Sequence, residues 1–304
     1  MLIYRAKHNL IHQLHPLTAL SFIVVVTFLA LLFSHPVYLF GLLLVTGLVL
    51  AAAENLREWK PYLEVSLGML VIIMLVNSCL VHVGTTVLWN GPNVPVIGRI
   101  RITLEALCYG AAMGVRLLVI ISIFCLYTYA VHPDKVLKLF SRLGNKSVLA
   151  ITMGTRLFPL MLGDVLRITE VQRCRGAKLD TGSFMQKVKN RLPIINVLLL
   201  SSLESSLQTA EAMQARGYGS GKRTYYSREL WRPRDSLIMS ATVLAFLLGL
   251  WSAWQGWANY TYYPRLENIT RSDFPAAAVL IFLLAIPAFL SWGCKKWPRF
   301  KSKI

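Results

Sequence analysis

Two arginines share an unusual setting. Arg175 lies in Gln172-Arg173-Cys174-Arg175-Gly176 and Arg216 in Gln214-Ala215-Arg216-Gly217. A guanidinium is a planar fork of donors that can grip a carboxylate through two parallel hydrogen bonds, and it stays charged throughout the physiological range. Its neighbours are small, Cys174 and Gly176 in one copy and Ala215 and Gly217 in the other, so such a chain end can enter a groove closely. The same residues also make an ordinary helix C-terminus, where a cation complements the dipole and glycine takes the left-handed cap. Duplication is what a lone cap does not explain. Two similar helix ends in one chain suit a partner with two equivalent grooves, that is, a dimer.

Other constellations carry less. Gly217-Tyr218-Gly219-Ser220-Gly221-Lys222-Arg223-Thr224 superficially resembles a phosphate-binding loop. That loop needs glycine five residues before the Gly-Lys pair and a hydroxyl residue directly after it, and here Arg216 and Arg223 hold those positions with no buried strand before them. His8, His12 and His15 would share a face only on a continuous helix, and no Cys or carboxylate completes a metal set. They read as interfacial histidines. With no acid/base pair or activated nucleophile in view, the expectation is a chain without catalytic residues, metal or cofactor of its own. Arg116 falls inside an apolar run, where an unpaired charge is costly and must face the bundle or a partner. Asn77, at similar depth in the preceding run, is a candidate hydrogen-bond partner. Gly110 and Gly114 form a small-xxx-small patch that permits close helix contact, either within the bundle or with another membrane subunit.

The elements that must carry these residues follow from composition. The chain has 304 residues, 55% of them hydrophobic, with mean hydropathy +0.54, which points to an all-α polytopic membrane protein. Six apolar runs have spanning length: 17–33, 37–53, 62–82, 103–130, 236–254 and 274–292. A Gly- and Pro-rich stretch, 83–101, reads as a long loop between the third and fourth. Between the fourth and fifth lies a mixed polar region with three expected helices at about 133–143, 146–175 and 191–217. The last is amphipathic, with Leu199, Leu203, Leu207, Ala210 and Met213 at helical spacing and Glu204, Gln208 and Glu211 on another face. The expected organisation is a four-span region, 1–130, a cytoplasmic or interfacial helical domain, 131–235, and a two-span region with a basic tail, 236–304. The formal charge of +18 fits this topology without nucleic acid. With both termini cytoplasmic, only Arg99, Arg101, Arg265 and Arg271 fall in outside loops, as the positive-inside rule requires.

Thr155-Arg156-Leu157-Phe158-Pro159-Leu160, then Gln172 to Ala177, then Ala212-Met213-Gln214-Ala215-Arg216-Gly217-Tyr218-Gly219 together resemble the coupling region of the transmembrane T component of energy-coupling factor (ECF) transporters. The likeness extends more weakly from His15-Pro16 to the span after Asp235. The resemblance implies that residues 174–176 and 215–217 each dock into one of two ABC-type ATPase subunits, which bind the ATP and magnesium. It further implies that motion passes to a small substrate-binding membrane subunit, the S component, for uptake of a vitamin or metal ion. Two departures stand out: Cys174 where alanine is usual, and a second C-terminal span where many relatives end. A membrane adaptor or receptor that anchors a cytoplasmic partner through its helical domain, without transport, is the alternative reading.

Overall fold

The computed structural model describes residues 9–81, 84–94, 98–132, 135–136, 139, 145–177, 179, 182–221, 230–267 and 273–296. Its elements are α1 (Pro16–Leu32), α2 (Pro36–Ala52), α3 (Leu56–Leu80), β1 (Val87–Val94), β2 (Gly98–Thr103), α4 (Leu104–Ala130), α5 (Asn145–Cys174), α6 (Phe184–Ala215), α7 (Pro233–Trp254) and α8 (Asp273–Lys296), with a short 3-10 turn at Ile11–Gln13. Among the described residues the fold is all-α apart from one hairpin. The chain divides into two compact units, 2–136 with 230–304, and 137–229.

In the first unit each apolar run becomes a helix. His15-Pro16 and His35-Pro36 start α1 and α2 in the same way: proline occupies the first helical position, and the histidine Nδ1 accepts from the amide two residues on, Leu17 or Val37, each at 3.2 Å. The core is apolar, built from Val26, Leu29 and Phe33 of the first hairpin arm, Tyr38, Leu42 and Val45 of the second, and Val119, Ile123, Ala245 and Leu284 from later helices. Helix α8 packs on α2 and α7, and Ser291 Oγ donates to the Ala52 carbonyl at 3.3 Å. The turn between α1 and α2 is covered by the segment after α7. Ser34 and His35 amides donate to the Ala258 carbonyl at 3.1 and 3.0 Å, and Tyr262 Oη donates to the Ser34 carbonyl at 2.8 Å. In that segment the Thr261 amide and hydroxyl donate to Glu267 and hold its carboxyl below the usual range.

At the opposite end of α1, Asp235 ties the N-terminal segment to α7. One carboxylate oxygen accepts from the His15 amide and the other from the Arg232 amide, both at 3.0 Å, at a helix N-terminus where a negative charge is favoured. Arg234 adds a bond from Nη2 to the Gln13 carbonyl at 3.3 Å.

Among the described residues, five helices are long and apolar enough to cross a membrane: α3, α4, α5 from Leu149, α7 and α8. Helices α1 and α2, at 17 residues each, are shorter; at 1.5 Å per residue they reach about 25 Å, the lower limit for crossing the hydrocarbon. The set thus differs from the six expected runs, because α5 shares their composition. Three boundaries also move. Helix α3 begins six residues before Tyr62, since Pro61 near its start removes only the bond to the Arg57 carbonyl and Trp59 Nε1 finds Ser122 Oγ at 2.9 Å. The stretch 83–101, expected to be a loop, is largely an antiparallel hairpin of β1 and β2, with register shifts between Val87 and Trp89 and across its Gly91-Pro92 step. Helix α6 starts at Phe184 instead of 191, with Ser183 N donating to Gln186 Oε1 at 3.2 Å. The expected helix at 133–143 lies largely outside the described residues, and so does His8.

Candidate protein-docking site

The second unit is built on α5 and α6. With 30 and 32 residues they extend about 45 and 48 Å at 1.5 Å per residue. Each carries one interior proline, Pro159 or Pro193, that removes a backbone bond and favours a bend. Neither helix is buried in the ordinary sense. Phe158, Leu160 and Leu166 of α5 and Leu199, Leu200, Leu203 and Leu207 of α6 are all more than half exposed, so among the described residues the apolar stripe read from the sequence has no cover. Where the helices meet, a groove of about 560 Å³ runs between Leu157, Leu160 and Met161 on one side and Ser201, Ser202 and Ser205 on the other. Ser202 and Ser206 return their hydroxyls to their own helix, each at 2.7 Å to the carbonyl four residues back. The serine row is therefore low in profile without offering those hydroxyl protons outward. Asp164 and Arg167 form an ion pair on the exposed face of α5.

The two arginine motifs close these helices with one hydrogen-bond pattern. At the end of α5, the Arg175 amide donates to the Val171 carbonyl, Gly176 to Arg173 and Ala177 to Gln172, each at 3.0 Å. At the end of α6, Arg216 donates to Ala212 at 3.2 Å, Gly217 to Gln214 at 2.9 Å and Tyr218 to Met213 at 3.0 Å. Both are Schellman caps, and both need a left-handed residue in the same place, met by Gly176 at φ 85° and Gly217 at φ 76°. Arg175 and Arg216 thus occupy the same cap position, the last before the chain turns away. Both are exposed, as is Cys174. Among the described residues neither guanidinium has a hydrogen-bond or ion-pair partner. Two equivalent, outward cations at the tips of two long helices are what the site consists of, and binding carboxylates is what it can do.

The other sequence-picked residues sit in the first unit. Arg116 does not pair with Asn77. Its Nη2 donates to the Phe33 carbonyl at 2.7 Å, at the C-terminal end of α1, and Nη1 lies 3.4 Å from Met113 Sδ; Asn77 Nδ2 instead donates within α3 to the Ile73 carbonyl at 3.2 Å. The reason is position: the α1 terminus presents an unpaired carbonyl to the cation. Gly110 and Gly114 both face α3. A Cβ at Gly110 would lie 2.9 Å from Met74 Cα, and one at Gly114 would clash with the Leu70 side chain. The glycine-rich stretch after Arg216 comes after a helix, not a strand, and Lys222 to Thr224 lie outside the described residues. His12 sits in the 3-10 turn and His15 is a helix cap after extended Leu14, so no continuous helix aligns them. Among the described residues, no group of three His, Cys, Asp or Glu is placed to hold a metal ion. Sequence reasoning missed Asp235 and Glu105. The Glu105 carboxylate accepts from Thr85 and Thr86 amides at 3.2 and 3.1 Å, fixing the root of the hairpin to α4.

Comparison with known proteins bears on most of the chain. The family CbiQ, described as "Cobalt transport protein", matches residues 7–226. The chain is similar to the energy-coupling factor transporter transmembrane protein EcfT of Streptococcus thermophilus, 30% identical over 264 residues, covering 81% of this chain and 95% of that protein. It is 28% identical over 271 residues to the EcfT of Acidaminococcus fermentans, covering 83% and 95% respectively. To the EcfT of Bacillus subtilis it is 28% identical over 254 residues, covering 79% and 93%.

Proposed function

The chain belongs to the CbiQ family and is a transmembrane component of an energy-coupling factor transporter, and from that premise we propose that it is the scaffold through which two ABC-type ATPase subunits drive a separate substrate-binding membrane subunit. The observation that carries this reading is the pair of equivalent caps at Arg175 and Arg216, whose guanidiniums are left free by the rest of the described chain. Residues 174–176 and 215–217 each enter a groove of one ATPase and meet a carboxylate there. ATP and magnesium belong to those partners. When the ATPases close, α5 and α6 are displaced, and their uncovered apolar sides pass the motion to the S component, which delivers a vitamin or metal ion. Substrate chemistry resides in that subunit. The termini and the 137–229 unit lie on the cytoplasmic side, where the ATPases are.

Magnitude separates docking from simple capping. Truncating one partner of a desolvated, hydrogen-bonded charge pair costs about 2–5 kcal/mol, whereas a cation at a helix C-terminus contributes about 0.3–1 kcal/mol. Arg175→Ala or Arg216→Ala should leave the thermal unfolding of the detergent-purified chain nearly unchanged but uncouple ATP hydrolysis from uptake in proteoliposomes. The double variant should elute without its ATPases on size exclusion. Retention of the ATPases and wild-type uptake by the double variant would refute the docking role.

A further inference from the structure

The two helix ends share a cap geometry, but the chain leaves them differently. After Gly176, Ala177 is partly buried and Leu179, whose amide donates to the Ala177 carbonyl at 3.1 Å, is only 4% exposed. There the chain passes from an exposed arginine to a buried leucine within four residues. After Gly217 it stays out: Tyr218 is 53% exposed and stands between two left-handed glycines, with Gly219 at φ 95°. Ser220 locks this turn, its amide and hydroxyl both donating to the Gly217 carbonyl, at 3.2 and 2.8 Å. Among the described residues, a Cβ at Gly219 would meet nothing within 4 Å, so the described chain leaves the space around the turn open. A fixed turn that presents a large ring to open space, beside a free guanidinium, has the makings of an anchor. Tyrosine offers wide contact area at low entropic cost, and it is enriched with arginine among the residues that dominate interfaces.

We propose that Tyr218 is a second anchor of the α6 end, seated in an apolar recess of the ATPase subunit beside the groove that takes Arg216. The α5 end, with Ala177 at the matching place, has no such anchor. It carries Arg173 where the α6 end has Gln214, so one end adds a cation and the other a ring. The two ends are therefore not interchangeable. This inference rests on the docking of Arg175 and Arg216 into the ATPase pair.

The test immobilises the full-length chain in detergent and titrates the purified ATPase pair. Tyr218→Ala should weaken binding about tenfold or more, Tyr218→Phe should bind like wild type, and adding Ala177→Tyr to Tyr218→Ala should not restore affinity. Wild-type affinity for Tyr218→Ala overturns the anchor, equal losses for Phe and Ala overturn the apolar recess, and rescue by Ala177→Tyr overturns the inequality of the ends. Arg175→Ala/Arg216→Ala runs in parallel. If that variant loses binding while Tyr218→Ala does not, only the anchor fails; if it too binds like wild type, the docking reading has failed.

Discussion

A cation inside an apolar bundle must find acceptors, and Arg116 finds one in the Phe33 carbonyl at 2.7 Å, with the residue between the α1 terminus and Met113. Arg116→Leu removes the only charged donor seen at that carbonyl among the described residues, and an orphaned buried acceptor costs about 1–3 kcal/mol. The expected outcome is a lower unfolding temperature in detergent with ATPase co-purification retained. Arg116→Lys should fall between, keeping the charge but not the planar fork. An unchanged unfolding temperature in the Leu variant would mean that the contact contributes nothing. The sequence singles out Arg116 by its apolar surroundings but cannot name its partner, which is a main-chain carbonyl 83 residues away. Side-chain patterns do not report where helix termini come to rest. Arg175 and Arg216 are legible for the opposite reason: their geometry is local, set by the glycine next to each.

Among elements, α3 and α4 share the closest contact, with Gly110 against the α3 backbone and Gly114 under Leu70. Gly110→Leu should force the helices apart and destabilise the bundle by about 1–3 kcal/mol, as overpacking does. Gly68→Ala is the matched control, because a Cβ there meets nothing within 4 Å. Equal unfolding temperatures for Gly110→Leu and Gly68→Ala would show that the glycine face does not set the approach. The small-xxx-small spacing is readable in the sequence; the identity of the facing helix is not. Other elements mislead for physical reasons. Gly91, Pro92 and Pro95 signal a loop, yet Glu105 fixes the strand root from a neighbouring helix. The α6 start is obscured because Gln186, Lys187, Lys189, Asn190 and Arg191 break the apolar period that marks the rest of the helix. Helix α5 is polar at its ends, and its apolar middle is hidden within a mixed polar region although its length and composition match a span.

At the scale of the whole molecule, orientation is decided by cations. The excess of Lys and Arg on one set of loops predicts that single cysteines in a cysteine-free background at Gly91 react with an impermeant reagent added outside, while those at Lys222 and Lys301 react only once the membrane is permeabilised. Positions 222 and 301 reacting from opposite sides would break the topology. The all-α class and most spans are visible as apolar runs, since crossing hydrocarbon constrains composition more tightly than anything else in the chain. What no run reveals is pairing order. The first helices are closed by the last: Ser21 meets Met239 across 218 residues, His15 meets Asp235 across 220, and Ala52 meets Ser291 across 239. A ribosome adding roughly 5–20 residues per second needs on the order of ten seconds or more to make that intervening chain. Helix α4 joins the α1–α2 hairpin early in that interval, but α7 and α8, which pack on α1 and α2, are made only at its end. The newborn protein therefore depends on whatever shelters the unfilled sides of that hairpin beside the translocation channel, and a nascent chain released before α8 leaves the α8-facing side of α2 uncovered.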